Sequence, residues 1–154
     1  MIFTRNGAVT PLGWEISPRL RASREPGQRS TRHRLDPSYD VTPALRPLQD
    51  ELVVDKLTSS AFHQTALDHA LRNLRVEDVV MVGCMTDMCV LGSARAAAEL
   101  GYNVLVVDDA CVTLTDRAHD EALLAHARVF GRVEYTAATI AELDILLAKA
   151  PAKA

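Results

Sequence analysis

From residue 51 onward, short apolar runs alternate with segments of helical periodicity, and this alternation restricts the fold more than any other feature of the sequence. Residues 79–82 and 104–107 are apolar at every position, which is typical of strands covered on both faces. Strands that alternate with helices form a parallel sheet joined by right-handed crossovers. We therefore predict an α/β fold of three layers, in which a mostly parallel sheet lies between two layers of helices.

Hydrophobic periodicity and capping signals set the ends of the predicted elements. Thr65 and Thr139 each begin a helix-capping motif, and Gly101 stands where a C-terminal glycine cap belongs. The strands are predicted at residues 1–5, 52–54, 79–82, 104–107 and 133–135, and the helices at residues 65–74, 89–100, 116–130 and 139–147.

Residues 1–47 differ in composition from the rest of the chain. They contain six of the seven prolines, and eight arginines against four acidic residues, with no sustained periodicity. Because these arginines are interleaved with Pro, Gly and Ser and accompanied by few aromatic residues, they predict a solvated loop and not a nucleic-acid interface. We expect Trp14, Leu20 and Tyr39 to anchor parts of this loop.

The bulk properties point to one cytoplasmic domain. A chain of 154 residues is long enough for one core and too short to be expected to form two. No apolar run is long enough to cross a bilayer, and the first residues lack the features of a signal peptide. Cys84, Cys89 and Cys111 are then expected to be reduced thiols, and their spacing is not that of a zinc site.

Two side chains fall at the predicted carboxyl edge of the sheet, where parallel sheets bind ligands. Cys89 begins a helix, where free backbone N–H groups stabilise a thiolate and can bind an oxyanion. The alternative is a buried cysteine that acts as a small hydrophobe. Lys56 ends a strand, and an ammonium near a thiol favours the thiolate; the alternative is a surface lysine. Residues 108–113 follow another strand at the same edge.

Two segments resemble those of the isochorismatase-like cysteine hydrolases. Residues 54–67 match the family's lysine strand and its K-x-x-x-S-A-F-x-x-T-x-L continuation, and residues 82–90 match its G-x-x-T-x-x-C-V nucleophile segment. Gly101 to Val104, Asp109-Ala110 and His119 follow in the family's order. The resemblance implies one domain, residues 1–154, with an isochorismatase-like, Rossmann-like fold. Residues 1–47 would hold a partial second strand and the Pro/Arg-rich loop, and residues 48–147 would hold the core.

The resemblance also implies a role for each residue of the site. Cys89 would attack a carbonyl carbon to form a thioester, and Lys56 would lie beside the thiolate. The backbone N–H groups of Met85 and Cys89 would form the oxyanion hole. The supporting residues would be Cys84, joined to Met85 by a non-proline cis peptide, Thr86 and Asp87, which would stabilise the turn, and Phe62, which would line the substrate pocket.

A cysteine at the nucleophile position points to the amidase branch of the family, whose substrates are nicotinamide-like, ureido, carbamoyl or biuret-like amides. We therefore predict a cysteine-dependent hydrolase that cleaves the C–N bond of a small amide. Two alternatives are a catalytically impaired relative that only binds a small molecule or a partner, and an isochorismatase-type vinyl-ether hydrolase, which needs no thiol.

One element of the family has no match in the sequence. The family's general base is an aspartate at the end of its first strand, whereas residues 1–5 resemble its second strand. We expect the start of this sequence to be internal to a longer gene. The alternatives are a truncated relative that has lost catalysis, and a gap filled by rearrangement or by a partner chain. Asp40, Asp55 and Asp108 are candidates to replace the missing aspartate.

The resemblance suggests a metal only if the chain is like the nicotinamidases, which place an aspartate and several histidines after their first strands. Here that region offers His33 and Asp36 alone. His119 and His126 lie seven residues apart on one helical face, where a surface location is the simpler expectation. We predict no metal, no cofactor, and no nucleic-acid or membrane partner; a homo-oligomer is compatible with the fold.

Overall fold

Strand β1 (Ile2–Asn6) pairs in parallel with β2 (Leu52–Lys56), with Ile2 opposite Leu52 and Asn6 opposite Lys56. The computed structural model describes residues 1–10, 12–19 and 33–149, and the chain divides into two compact units, Met1–Leu74 and Arg75–Ala154. Strand β2 continues two residues past its predicted end, so Lys56 is its last residue. The first unit also contains two 3-10 turns, Pro37–Tyr39 and Pro43–Leu45, and helix α1 (Leu67–Asn73).

Arg5 joins the two strands of the first unit to the segment that follows β1. Its guanidinium donates to the two carboxylate oxygens of Asp55 on β2, at 2.9 and 3.2 Å, and to Oδ1 of Asp40 at 3.0 Å. The same guanidinium lies 4.7 Å from the centre of the Tyr39 ring. Tyr39 is buried, which confirms that it anchors this segment.

The second unit contains a parallel sheet of three strands in the order β3, β4, β5. Residues 104–107 of the middle strand are all buried, as predicted, so both of its faces are covered. This arrangement of helices on a parallel sheet confirms the α/β class. The strands are β3 (Asp78–Cys84), β4 (Asn103–Val112) and β5 (Arg132–Glu134), and the helices are α2 (Leu91–Glu99), α3 (Asp116–Val129) and α4 (Thr136–Lys149).

The C-terminus of α2 has the glycine cap that the sequence predicts. Gly101 has a φ of 90°, a conformation that favours glycine because it has no Cβ. Its N–H donates to the carbonyl of Ala98, and the N–H of Tyr102 donates to the carbonyl of Ala97, each at 3.0 Å. These two bonds satisfy carbonyls that the end of the helix would otherwise leave unpaired, and the chain then enters β4.

Strand β3 is less covered than its apolar sequence predicts. Val80 and Val82 are 42% and 56% exposed, so the expectation of burial on both faces is wrong for this strand. A groove of about 510 Å³ lies between the first residues of the strands and α4, and Val80 lines it together with Leu143 and Leu146. Helix α4 therefore leaves part of the strand uncovered.

Two helix boundaries differ from the predicted ones. Helix α4 begins at Thr136 and not at Thr139, because the carboxylate of Asp109 accepts from both the N–H and the hydroxyl of Thr136 at 2.7 Å. Thr139 lies inside the helix and donates its hydroxyl to the carbonyl of Tyr135 at 3.1 Å. Helix α1 ends at Asn73, and Leu74, predicted to be its last residue, lies outside it and is 66% exposed.

Three further expectations about caps and loops concern Thr65, Trp14 and Leu20. The hydroxyl of Thr65 accepts from the N–H of Leu67 at 3.2 Å, but α1 begins at Leu67, two residues later than predicted, and its N-cap residue Ala66 makes no side-chain capping bond. Trp14 is 66% exposed and does not anchor its loop in the way expected. Leu20 lies outside the described residues.

In the described part of the chain, no helix combines the length and the apolar character that a membrane span requires.

Candidate active site

The segment between β3 and α2 forms a tight turn that carries Cys89. Gly83 has a φ of 121°, which a residue with a side chain rarely adopts, and the peptide bond between Cys84 and Met85 is cis, where the resemblance implies one. The carbonyl of Met85 then accepts from the N–H groups of Met88 and Val90, both at 3.1 Å. The second of these bonds spans five residues, so Thr86–Val90 is a π-helical turn that leads directly into α2.

Cys89 lies inside this turn and is partly exposed. Helical geometry therefore begins three residues earlier than predicted, at Thr86, with Met85 in an extended conformation before it. The first N–H groups of a helical segment have no carbonyl partner in their own helix and carry the positive end of its dipole. Cys89 is the fourth residue of this segment and not its first, so the prediction that Cys89 begins the helix is wrong.

Thr86 is held by two groups from neighbouring elements. Its side chain is buried, with 1% of the residue exposed, and its Oγ1 lies 2.9 Å from Nδ1 of His119 on α3. Nε2 of His119 lies 3.0 Å from Oδ1 of Asp108 on β4. The other polar residue of the turn, Asp87, accepts a hydrogen bond of 2.5 Å from the hydroxyl of Thr113. The side chains of Thr86 and Asp87 are thus both held by residues that come later in the sequence.

The three cysteines are free thiols with different surroundings. Cys84 is exposed, whereas Cys89 and Cys111 are partly buried. Burial raises the pKa of the Cys111 thiol, and nearby Asp108 adds to that effect. The Cys111 thiol also points toward the carbonyl of Met81, at 3.9 Å. Because the thiolate is the reactive form, a cysteine with a raised pKa, such as Cys111, is expected to react slowly with thiol reagents.

Lys56 is the second side chain that the sequence singles out, and it lies in the first unit. It is 3% exposed, so the alternative of a surface lysine is wrong. Its ammonium donates to the carbonyls of Thr58 and Ser59, both at 2.9 Å. A lysine is rarely this buried unless its ammonium has partners, and here the two carbonyls are those partners. Phe62, in the following loop, is partly exposed, and its N–H donates to the hydroxyl of Ser60 at 3.1 Å.

The three aspartates considered as substitutes for the family's general base all have other partners. Asp40 and Asp55 bind the guanidinium of Arg5 in the first unit. Asp108 lies within β4, which continues to Val112, and not in a loop after it, and it pairs with His119. Nothing in these contacts supports Asp40 or Asp55 as a base, because the hydrogen bonds from Arg5 occupy carboxylate oxygens of both.

The surface location expected for His119 and His126 is wrong. The side chain of His119 is 16% exposed and takes part in the contacts described above. His126 is 1% exposed, and neither of its ring nitrogens has a hydrogen bond of normal geometry within the described residues. Burial lowers the pKa of His126, although the backbones of Val104 and Arg132 lie close enough to offset part of this effect.

His33 is also structural. It is buried, its Nε2 lies 2.7 Å from the carbonyl of Val9, and its Nδ1 accepts from the N–H of Leu35 at 3.2 Å. The N–H of Asp36 donates back to the carbonyl of His33 at 2.7 Å. Across residues 1–10, 12–19 and 33–149, no three His, Cys, Asp or Glu side chains are grouped as metal ligands.

The sequence and the fold of this chain are both similar to those of known proteins. The Isochorismatase domain matches residues 3–138, which is most of the sequence. The chain belongs to the isochorismatase family. Its α/β fold agrees with a solved cysteine hydrolase of Pseudomonas syringae, with a TM-score of 0.80, 26% sequence identity, and coverage of 94% of this chain and 71% of the other.

Among curated relatives, this isochorismatase-family chain is 36% identical over 75 residues to nicotinamidase 3 of Arabidopsis thaliana, which covers 49% of this chain and 37% of the relative. It is 34% identical over 73 residues to the ureidoacrylate amidohydrolase RutB of Acinetobacter baylyi, covering 47% of this chain and 30% of the relative. The chain thus spans less than half of the length of these curated relatives.

The contacts that hold the turn of this family member are not evident from the sequence. His119 stands out there only as part of the family pattern, and its link to Thr86 joins residues 33 positions apart. The available signal was topological, because the order of strands and helices places the start of α3 at the same end of the sheet as the turn after β3.

Proposed function

We propose that this protein is a cysteine hydrolase that cleaves the C–N bond of a small amide through a thioester at Cys89. The observation that carries the proposal is the turn at residues 83–90, in which a π-helical turn holds a partly exposed cysteine directly before α2. Membership in the isochorismatase family supports a hydrolase. The nicotinamidase and amidohydrolase names of two relatives support an amide as the substrate.

In the proposed reaction, Sγ of Cys89 attacks the carbonyl carbon of the amide, and the C–N bond breaks. The amine leaves with the proton that the thiol has lost, and the acyl group stays on sulfur as a thioester. Water then attacks the thioester, which releases a carboxylic acid and restores the thiol. The sum is one amide and one water consumed, and one amine and one acid formed.

The negative charge that forms on the carbonyl oxygen needs donors that are already in position. We assign this task, as the resemblance implies, to the backbone N–H groups of Met85, which precedes the helical segment, and of Cys89 within it. The fixed carbonyl of Met85, which accepts from two N–H groups, supports a rigid turn at this point. Preorganised donors lower the barrier because they need no rearrangement during the reaction.

We assign Lys56 the role that the resemblance implies, stabilisation of the negative charge on sulfur and in the tetrahedral intermediate. Its burial and its two bonds to backbone carbonyls support this assignment, because they limit where the ammonium can go. A cation in a site of low dielectric stabilises an anion more strongly than it would in water. Phe62 is proposed to contribute an apolar wall for the substrate.

The substrate is proposed to be an amide of nicotinamide, ureido or carbamoyl type. These groups are small and planar, and each presents a carbonyl carbon bonded to nitrogen, which is what a thioester mechanism requires. Release of ammonia from nicotinamide, N-carbamoyl amino acids and ureidoacrylate gives a common assay for the three classes. We expect one of these classes to be hydrolysed in preference to the other two.

The test compares the wild-type protein with Cys89→Ala and, as a matched control, Cys111→Ala. We expect ammonia release to fall by about a thousandfold or more in Cys89→Ala, because loss of the nucleophile removes the covalent route. Cys111→Ala should keep the activity within about threefold, since Cys111 has no assigned role. Full ammonia release in Cys89→Ala would exclude the thioester and would mean that the amide is hydrolysed by a mechanism that needs no thiol.

A further inference from the structure

Three side chains of the second unit form a continuous hydrogen-bonded chain that the proposed reaction does not use. Oγ1 of Thr86 lies 2.9 Å from Nδ1 of His119, and Nε2 of His119 lies 3.0 Å from Oδ1 of Asp108. Thr86 belongs to the turn that carries Cys89, Asp108 belongs to β4, and His119 lies near the start of α3. These two hydrogen bonds therefore tie the turn to the neighbouring strand and helix.

The chemistry of the three groups fixes the direction of these hydrogen bonds. A carboxylate can only accept, so Nε2 of His119 must donate its N–H to Asp108. In a neutral imidazole the other nitrogen, Nδ1, then accepts, and the hydroxyl of Thr86 is the donor to it. Asp108 thus selects the tautomer of His119, and His119 in turn sets the orientation of the Thr86 hydroxyl.

A hydroxyl, an imidazole and a carboxylate in this order also occur in hydrolases that use a serine or threonine as the nucleophile. Burial argues against that use here. Only 1% of Thr86 is exposed, so a substrate carbonyl has no access to Oγ1. A buried hydroxyl with a fixed partner acts on the shape of the turn around it.

We propose that His119 is a positioning residue for the Cys89 turn and acts through Thr86; this inference rests on the proposed function. Thr86 is β-branched, so few rotamers are open to it, and a fixed hydroxyl also restrains its backbone. The N–H of Met85, assigned to the oxyanion hole, belongs to the residue directly before Thr86. Cys89 follows three residues later in the same π-helical turn. Movement of Thr86 would displace the donors around the thiol.

Two substitutions of His119 separate its two contacts. His119→Asn places an amide oxygen where Nδ1 was, so it can still accept from Thr86, but it does not reach Asp108. His119→Gln places an amide nitrogen where Nε2 was, so it can still donate to Asp108, but it offers nothing to Thr86 at the position of Nδ1. Both variants remain polar and of similar size, which makes each a control for the stability of the other.

The kinetic readout is kcat and KM for the amide that the wild-type protein hydrolyses fastest. We expect His119→Asn to keep kcat within about threefold, whereas His119→Gln should lower it by about tenfold, the effect of losing one well-placed hydrogen bond. KM should stay within about twofold in both variants, because the contact acts on the reacting turn and not on substrate binding. Thr86→Ser should behave like His119→Asn, and Thr86→Val like His119→Gln.

A second readout keeps this inference separate from the proposed function. The rate of iodoacetamide labelling at Cys89, measured on its own peptide by mass spectrometry, should change by about threefold or more in His119→Gln and little in His119→Asn. Labelling of Cys111 should be the same in both. If the wild-type protein hydrolyses no amide but this pattern holds, the proposed function is wrong and the positioning role stands. Equal kcat and equal Cys89 labelling in the two variants would overturn the positioning role.

Discussion

The hydroxyl of Thr113 donates to Oδ1 of Asp87 across 2.5 Å, which links the end of β4 to the turn that carries Cys89. Asp87 immediately follows Thr86, so this bond and the Thr86–His119 bond hold two neighbouring residues of the turn. The two partner residues lie later in the sequence. Thr113 directly follows β4, and His119 is on α3. The position of the proposed nucleophile therefore depends on contacts that form only when the second unit is folded.

The Thr113–Asp87 contact gives a first prediction. Thr113→Val removes the donor but keeps the shape of the side chain, and we expect amide hydrolysis to fall by about three- to tenfold because a partly buried carboxylate loses a partner. Thr113→Ser retains the hydroxyl and should retain most of the activity. Initial rates at saturating substrate, with thermal unfolding of each variant, measure the effect. Equal rates in the valine and serine variants would show that the bond has no role in the turn.

Lys56 gives a second prediction. Lys56→Met keeps most of the apolar stem but removes the ammonium, and we expect kcat to fall by about a hundredfold or more, the usual scale for loss of a charge that stabilises a transition state. Lys149→Met on α4 removes an exposed positive charge and is the matched control, with activity expected to be unchanged. An active Lys56→Met variant would remove Lys56 from the proposed mechanism.

The third prediction concerns pH and Tyr39. Burial, followed by the hydrogen bond to Asp55, raises the pKa of Tyr39 to about 12. In an unfolded chain a tyrosine titrates near pH 10, so below that pH it is neutral in both states and its full contribution is present. Between about pH 10 and 12 the unfolded state releases its proton first, and stability falls by up to about 2 kcal/mol. Denaturant unfolding of the wild-type protein and Tyr39→Phe across this range isolates the effect, since the difference between them should narrow as the pH rises. A difference that stays constant from pH 9 to 12 would contradict it.

The cysteines give a fourth prediction. Cys111 should label slowly with iodoacetamide near neutral pH because burial raises its pKa and leaves little thiolate. Under the proposed function Cys89 labels faster than both Cys84 and Cys111, although Cys84 is the more exposed thiol. Peptide-resolved mass spectrometry over a time course measures the three rates together. Cys84 labelling first would mean that exposure, and not the setting of the turn, controls reactivity.

Much of the fold could be predicted from local patterns. The run at residues 104–107 predicted a strand covered on both faces, and Gly101 predicted a cap with positive φ, because both depend on neighbouring residues alone. Val80 and Val82 look the same in the sequence, yet they are exposed, because coverage depends on elements that are distant in the sequence. The same limit applies to α4, whose start is set by Asp109, a residue 27 positions away.

The candidate site shows the same division. Cys89 and Lys56 could be singled out from their places after strands and from the segments around them. The contacts of Thr86, Asp87 and the buried His126 could not, because each joins elements that are far apart in the sequence. His126 even gave the wrong expectation, since a polar residue on a helix is more often exposed, and here it is buried.

The central claim is that Cys89 carries the acyl group during amide hydrolysis. The most direct measurement is a rapid acid quench during turnover of the best amide substrate, followed by mapping of the adduct by mass spectrometry, with the protein at the length at which its host makes it. We predict an added mass equal to the acyl group on the Cys89 peptide, which hydroxylamine removes and which is absent from Cys89→Ala. Turnover without any adduct at Cys89, or an adduct on Cys84 or Cys111 alone, would contradict the account.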